Sequence, residues 1–404
     1  MRRITVGDFK ITEKEKKRVI EVLETNRISE GKFVREFEDK FAKYIGVKDA
    51  VLVNSGTSAL IAAMTAISYN KDKNNKAKKV ITTPLSFIAT VNAIVLSGLE
   101  PVFADVEEKT FGIDPNLIED LLKRSNNREE FLLILPVHLL GYPCKMAEIN
   151  EIAERYNLLV LEDASQAHGS LYNNKKVGSF SLLSTFSFYV AHNIQVGEMG
   201  AVLTDSAKMS KTLRKIKTHG RICDCKICRR NEGLCPYLTG NKRLDNDTDP
   251  RFTHDLIGYN FKTTEIQAAL ATIQLEDIES NLQKRRKNVK FLNERLNNYQ
   301  DIISLPLYSE DISYLAYPIV LKPKCKFQRG ELRLKLENNG IETRPLFGCI
   351  PLHQPAYAKY KDFYKNKLPH ADYLAQNGFY IGCHQYLTEE DLDYIVRVFK
   401  LILG

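Results

Sequence analysis

Ser184-Thr-Phe-Ser-Phe-Tyr-Val-Ala-His192-Asn-Ile-Gln-Val-Gly-Glu-Met-Gly200-Ala-Val-Leu-Thr204 holds two apolar runs around one polar turn. Phe186, Phe188 and Tyr189 close the first run and Ala201 to Thr204 form the second, so the pattern predicts two strands joined by a loop that carries His192. Upstream, short β-branched runs alternate with helical patterns. Ala50 to Val53 precedes Ser58 to Ile67, Lys79 to Thr82 precedes Phe87 to Leu96, and Pro101 to Ala104 precedes Pro115 to Leu122. Leu132 to Val137, the helix Ala147 to Tyr156 and Leu158 to Leu161 continue the series. This alternation predicts an α/β fold with a mostly parallel sheet. Such sheets bind ligands beyond the carboxyl ends of their strands.

Downstream, apolar residues at helical spacing from Ile266 to Ile278 predict a long amphipathic helix over about 264–296. A strand at Ala316 to Leu321 and a helix at Glu331 to Asn339 predict a smaller α+β unit. We place the large domain at 1–255, with a cysteine-rich insertion at 221–250, and the long helix and small domain at 256–404.

A chain of 404 residues, 44% hydrophobic and 27% charged, is long enough for two cores. Its first thirty residues mix acids and bases with no apolar core segment, and no run approaches a membrane span. A cytoplasmic protein with no membrane or nucleic-acid partner is expected. The formal charge of +8 favours phosphate-bearing ligands, and Lys-rich surface helices give the same excess. The polar run Asn70 to Lys78 reads as a solvated loop.

Three βα junctions carry candidate ligand residues. Asn54-Ser-Gly56-Thr57-Ser58 follows a strand and opens a helix, which suits either a phosphate at free N–H groups or an ordinary capped turn. Phe87 opens the helix after Lys79 to Thr82, where an aromatic serves as a stacking platform or as plain core. Asp163 ends an apolar strand, where its carboxylate can hold a ring nitrogen protonated or cap a helix. Cys223, Cys225, Cys228 and Cys235 fall within thirteen residues, a density that points in a reducing compartment to one soft metal centre, zinc or iron–sulfur.

Together these segments resemble the DegT/DnrJ/EryC1/StrS sugar aminotransferases, pyridoxal-phosphate enzymes of the aspartate-aminotransferase fold (fold type I). The family's Schiff-base lysine stands five residues after the serine of the Ser-Phe pair, and Ser187 plus five is His192. An imidazole cannot anchor the cofactor aldehyde, but it can move protons at neutral pH. The resemblance implies that Gly56, Thr57, Ser58 and Ser187 contact the cofactor phosphate. It further implies that Phe87 stacks on the ring, Asp163 faces the ring nitrogen and Gln166 the ring hydroxyl. The segment Gly258-Tyr-Asn260 resembles the one whose asparagine reaches the neighbouring subunit's phosphate, which implies a homodimer.

Within the family, histidine for lysine combined with a cysteine-rich insertion resembles the 3-dehydratases of the CDP-4-keto-6-deoxy-D-glucose type. Their use of pyridoxamine 5′-phosphate and an iron–sulfur cluster (2Fe–2S or 4Fe–4S) implies three things here. The substrate is a nucleotide-linked 4-keto-6-deoxy sugar, His192 and Asp163 are the catalytic residues, and a separate flavin or iron–sulfur reductase supplies electrons. Ser165 stands where that branch is described as carrying a further cysteine ligand. Structural zinc with amine regeneration from glutamate is the alternative, as is a catalytically silent homologue that binds cofactor or sugar nucleotide for regulation.

Overall fold

The computed structural model describes residues 3–71, 77–226, 228–239 and 248–404. Seven strands form the main sheet, in the order Asp49–Val53, Gly200–Thr204, Leu183–Ser187, Leu159–Asp163, Phe131–Leu135, Lys79–Thr82, Glu100–Phe103. All run parallel except Gly200–Thr204, which is antiparallel to both its neighbours. The expected α/β architecture is therefore present. The reversed strand returns directly through the His192 loop, whereas the parallel strands need crossovers, most of them helical. A second, antiparallel sheet of four strands follows, in the order Ile303–Ser304, Tyr317–Leu321, Gly378–Ile381, Arg344–Pro345.

The long helix expected over 264–296 is two helices, Glu265–Glu276 and Ile278–Leu296, broken at Asp277 (φ −99°, ψ 1°). The break lets the two halves serve different cores. Glu265–Glu276 packs on Glu13–Glu24 and Lys32–Ile45, while Ile278–Leu296 packs on Glu389–Leu403. Among the described residues no helix is long and apolar enough to cross a membrane.

The helix Lys32–Ile45 shows how the scaffold behind the site is fixed. Phe33, Phe37, Phe41 and Ile45 recur every four residues, and all are buried. Phe37 and Phe41 meet Phe188 edge-on at ring-centroid distances of 5.3 and 5.1 Å, which ties this helix to the strand leading into His192. Burying each ring contributes about 1.5–3 kcal/mol. Gly31 supplies no side-chain cap for the first turn. Glu265, buried and 230 residues away in sequence, accepts instead from the N–H groups of Gly31 (2.8 Å), Phe33 (3.0 Å) and Val34 (2.9 Å). Its negative charge also opposes the helix dipole favourably. Glu265→Ala orphans three donors, so we expect a loss of about 3 kcal/mol or more in denaturant unfolding, with Glu265→Gln losing less. An unchanged midpoint in both variants would exclude this capping role.

Candidate active site

The C-terminal ends of the parallel strands and one edge of the small sheet enclose a cavity of about 420 Å³. Its floor is the junction between Asp49–Val53 and the helix Gly56–Asn70. Ser55 caps that helix, its hydroxyl accepting from the N–H of Ser58 at 3.1 Å. Gly56, Thr57, Ser55 and Ser187 all line the cavity, so a helix N-terminus and hydroxyls converge where an anion would sit. Ser58 is buried one step behind, in the capping contact.

Close approach of backbones makes this floor. A Cβ on Gly56 would stand 2.5 Å from Ser187 Cβ, and one on Gly200 would stand 2.2 Å from the Ser55 carbonyl oxygen. We expect Gly56→Ala to displace Ser187 and weaken cofactor phosphate binding by about tenfold, read by equilibrium dialysis of pyridoxal 5′-phosphate against wild type. Wild-type affinity in a folded Gly56→Ala protein would show that the junction does not hold the phosphate.

Asp163 ends Leu159–Asp163 and is only 4% exposed. Its Oδ2 accepts from the Thr90 hydroxyl at 2.8 Å and its Oδ1 from the Ser165 N–H at 3.2 Å. Ser86 lies 2.9 Å from Thr90, so a short hydroxyl chain holds the carboxylate in place. The Gln166 side-chain oxygen accepts from the Leu140 N–H at 2.8 Å, which leaves its amide N–H groups to face the cavity. Phe87 is 56% exposed, a large aromatic left open at the cavity wall with only an edge contact to Phe347 at 6.4 Å. An anion cradle, an uncovered aromatic face and a buried carboxylate on one 420 Å³ cavity fit a phosphorylated pyridine ring.

His192 lies half-buried in the turn after Leu183–Ser187 and lines the same cavity. Its Nδ1 is 2.9 Å from the Ser187 carbonyl oxygen. A carbonyl can only accept, so Nδ1 carries the hydrogen and Nε2 presents a lone pair. Burial pushes the imidazole pKa down to about 4, against the opposing Ser187 bond. At neutral pH His192 is therefore a neutral base with one free nitrogen.

Asn260 is exposed, paired through backbone with Thr218, and does not line this cavity. Residues that the sequence reading missed include Thr90, Glu198, Arg344 and Tyr380. Arg344 and Tyr380 arrive as paired positions on the small sheet, with no local motif to mark them.

The metal centre expected on the cysteines is not assembled. Cys223, Cys225, Cys228 and Cys235 form no disulfide and lie on the wall of a second cavity. Among the described residues no three of His, Cys, Asp or Glu stand where they would hold one metal ion. Cys225 and Cys228 are exposed and Cys223 and Cys235 half-buried, on a wall they share with many arginines and lysines. The donor chemistry suits a soft metal, but the placement does not.

Comparison with known proteins fits this geometry. The family model for the DegT/DnrJ/EryC1/StrS aminotransferases matches residues 9–400. The chain belongs to that family. The dTDP-4-dehydro-2,6-dideoxy-D-glucose 3-dehydratase of Saccharopolyspora spinosa is 34% identical over 92% of this chain and 80% of that one. The Helicobacter pylori aminotransferase PseC, of pseudaminic acid biosynthesis, superposes with a TM-score of 0.85 at 27% identity, covering 100% of this chain and 99% of PseC. The E. coli GDP-4-keto-6-deoxy-D-mannose 3-dehydratase with bound hydrated PLP gives 0.82 at 27% identity, covering 98% and 99%. The fold is thus that of the type I pyridoxal-phosphate enzymes, and the family contains both aminotransferases and 3-dehydratases.

Proposed function

We propose that this protein is a pyridoxamine 5′-phosphate-dependent 3-dehydratase acting on a nucleotide-linked 4-keto-6-deoxyhexose. The observation that carries the reading is His192, a neutral base at the position where the family's aminotransferases place the cofactor-binding lysine. The 3-dehydratases reported among the similar proteins, beside aminotransferases, support the same branch. Bound pyridoxamine 5′-phosphate supplies an amine that condenses with the C4 ketone and a ring that withdraws electrons while the C3 hydroxyl leaves. The chain's own groups do the rest. Gly56, Thr57 and Ser187 hold the phosphate, with Ser58 fixed in the cap behind them. Phe87 covers one ring face, Gln166 donates to the ring oxygen, and Asp163 keeps the ring nitrogen protonated. His192 accepts a proton at Nε2, becomes imidazolium, and returns that proton to the departing hydroxyl. Without a lysine amine the nitrogen would leave as ammonia by hydrolysis, so the product would be a 3-deoxy-4-keto sugar rather than an amino sugar, with the cofactor amine giving up the two electrons that replace the C3 hydroxyl by hydrogen.

Two versions of this reading differ in the supply of electrons. In one, Cys223, Cys225, Cys228 and Cys235 close around an iron–sulfur cluster fed by a separate reductase. In the other, glutamate restores the cofactor amine and the cysteines hold zinc or nothing. That no three metal donors stand together among the described residues favours the second version without zinc. A homodimer in which Asn260 serves the partner subunit's phosphate belongs to both, as does a cytoplasmic location. The deciding experiment is turnover of CDP-, GDP- and dTDP-linked 4-keto-6-deoxy sugars with glutamate, products read by mass spectrometry, alongside iron, sulfide and zinc analysis of anaerobically purified protein. Formation of 4-amino sugar, or no turnover of any 4-keto substrate, would overturn the dehydratase reading.

A further inference from the structure

A second cavity of about 410 Å³ lies against the helix Lys32–Ile45, the end of the helix Ala207–Ile216 and the cysteine loop. Ten Lys and Arg residues line it, with one carboxylate, Glu30. Carboxylates just behind the wall neutralise part of this charge. Glu38 pairs with Arg35 and, at 3.2 Å, with Arg214, and Asp49 pairs with Arg214 at 3.0 Å and Lys226 at 3.1 Å. Glu30 pairs with Lys217 at 2.6 Å, Asp249 with Arg230 at 3.2 Å and Arg251 at 2.7 Å, and Glu232 with Arg229 at 2.8 Å. With Glu265 on the Gly31 and Val34 N–H groups and Asp39 acting on Arg35 and Arg214, the cations still outnumber the carboxylates among the described residues.

Two further observations point to an anion. The Nε–H groups of Arg35, Arg214 and Arg221 are buried and have no hydrogen-bond partner among the described residues, although all three side chains line this one cavity. Arg214 is only 4% exposed, so its orphan donor cannot turn to bulk water. The cations also repel one another. Burial and then Arg214 push the Arg35 pKa down to about 10. Burial pushes Lys217 down to about 8, with Glu30 opposing and Arg214 and Arg35 adding to the push. An anion in the cavity relieves this repulsion, whereas a divalent metal cation would add to it.

We propose that the second cavity is an oxyanion site that takes a diphosphate, either as free pyrophosphate or as the diphosphate of a nucleotide. Arginine forks suit that geometry, and each charge-assisted bond to phosphate is worth more than a neutral one.

The test uses intact protein saturated with pyridoxal 5′-phosphate, so that the cofactor phosphate fills the first cavity. Calorimetric titration with inorganic pyrophosphate at low salt is expected to show saturable binding that weakens as NaCl is raised. Arg221→Gln and Lys262→Gln, at positions with no ion pair among the described residues, are each expected to weaken it about tenfold, or ~1.4 kcal/mol. GDP and CDP distinguish the sources: affinity at least tenfold above pyrophosphate that falls in Arg221→Gln assigns a nucleotide to this cavity, nucleotide binding unchanged in that variant belongs to the first cavity and counts against a nucleotide here, and equal affinity assigns the free oxyanion. Absence of saturable binding, or binding unaltered in both variants when their melting temperatures match wild type, would overturn the proposal. Stoichiometric iron or zinc on the loop with no pyrophosphate binding would do the same. None of these readouts depends on sugar turnover, so the dehydratase reading stands or falls separately.

Discussion

His192→Asn should lower turnover of a 4-keto sugar nucleotide by about 10²–10⁴-fold while leaving pyridoxal 5′-phosphate bound and the melting temperature within a few degrees of wild type. The amide can replace the Nδ1–H donation to the Ser187 carbonyl, so the turn is expected to survive. It has no basic nitrogen to replace Nε2. The same geometry fixes the pH dependence. A histidine whose pKa is pushed down to about 4 by burial stays neutral and competent through neutral pH. Activity should therefore persist below pH 6.5 and fall only as pH drops toward 4, because protonation of Nε2 removes the base. A kcat/KM profile with its acid limb near the ordinary histidine value would show that cofactor binding restores solvation or charge pairing to the ring. His192→Lys adds the complementary test. Borohydride reduction followed by peptide mass spectrometry should find a pyridoxyl group on that lysine and on none in wild type. A stoichiometric lysine adduct in wild type would remove His192 from its assigned place.

The legible part of this molecule is the part encoded by local periodicity. Runs such as Leu132 to Val137 and Leu158 to Leu161 are buried on both faces of a parallel sheet, so they read as continuous apolar segments and their crossovers as helices. Gly56 and Asp163, which line the cavity at or just beyond strand ends, were legible as candidates for the same reason, while His192 was marked by the family resemblance. Residues brought in by tertiary packing were not. Thr90 sits in a helix of apolar neighbours, and only the fold sets its hydroxyl beside Asp163. Arg344 and Tyr380 reach the cavity through strand pairing in the second sheet. The break at Asp277 escaped because no Pro or Gly marks it and the apolar spacing continues across it. The cysteine spacing was legible as a pattern, yet spacing constrains only how close thiols can come. Here the thiols share a cavity wall with ten lysines and arginines, which the spacing does not reveal.

Asp163→Asn should reduce turnover by about a hundredfold with the fold intact. The change preserves volume in a side chain only 4% exposed. Its hydrogen bonds can adapt: the Ser165 N–H can still donate to the remaining oxygen, and the Thr90 hydroxyl can turn to accept from the new amide, with Ser86 2.9 Å away to receive its hydrogen. What the variant loses is a negative charge at a buried position. Breaking one partner of a buried charged pair costs about 3–5 kcal/mol, and ~1.4 kcal/mol is a factor of ten, so at least a hundredfold follows if the ring must be protonated when electrons move into it. The expected pattern is therefore selective. Phosphate-dependent cofactor affinity should fall little, because Gly56, Thr57 and Ser187 are untouched, while kcat should fall far more than KM rises. The measurement is steady-state kinetics on cofactor-saturated protein, with cofactor content checked by absorbance after release in alkali. Thr90→Val, which removes one donor to the carboxylate and keeps the charge, should show a smaller loss, of about tenfold or less. Equal losses in the two variants would mean that Asp163 serves the packing of the strand end, and unchanged kcat in Asp163→Asn would remove it from the reaction.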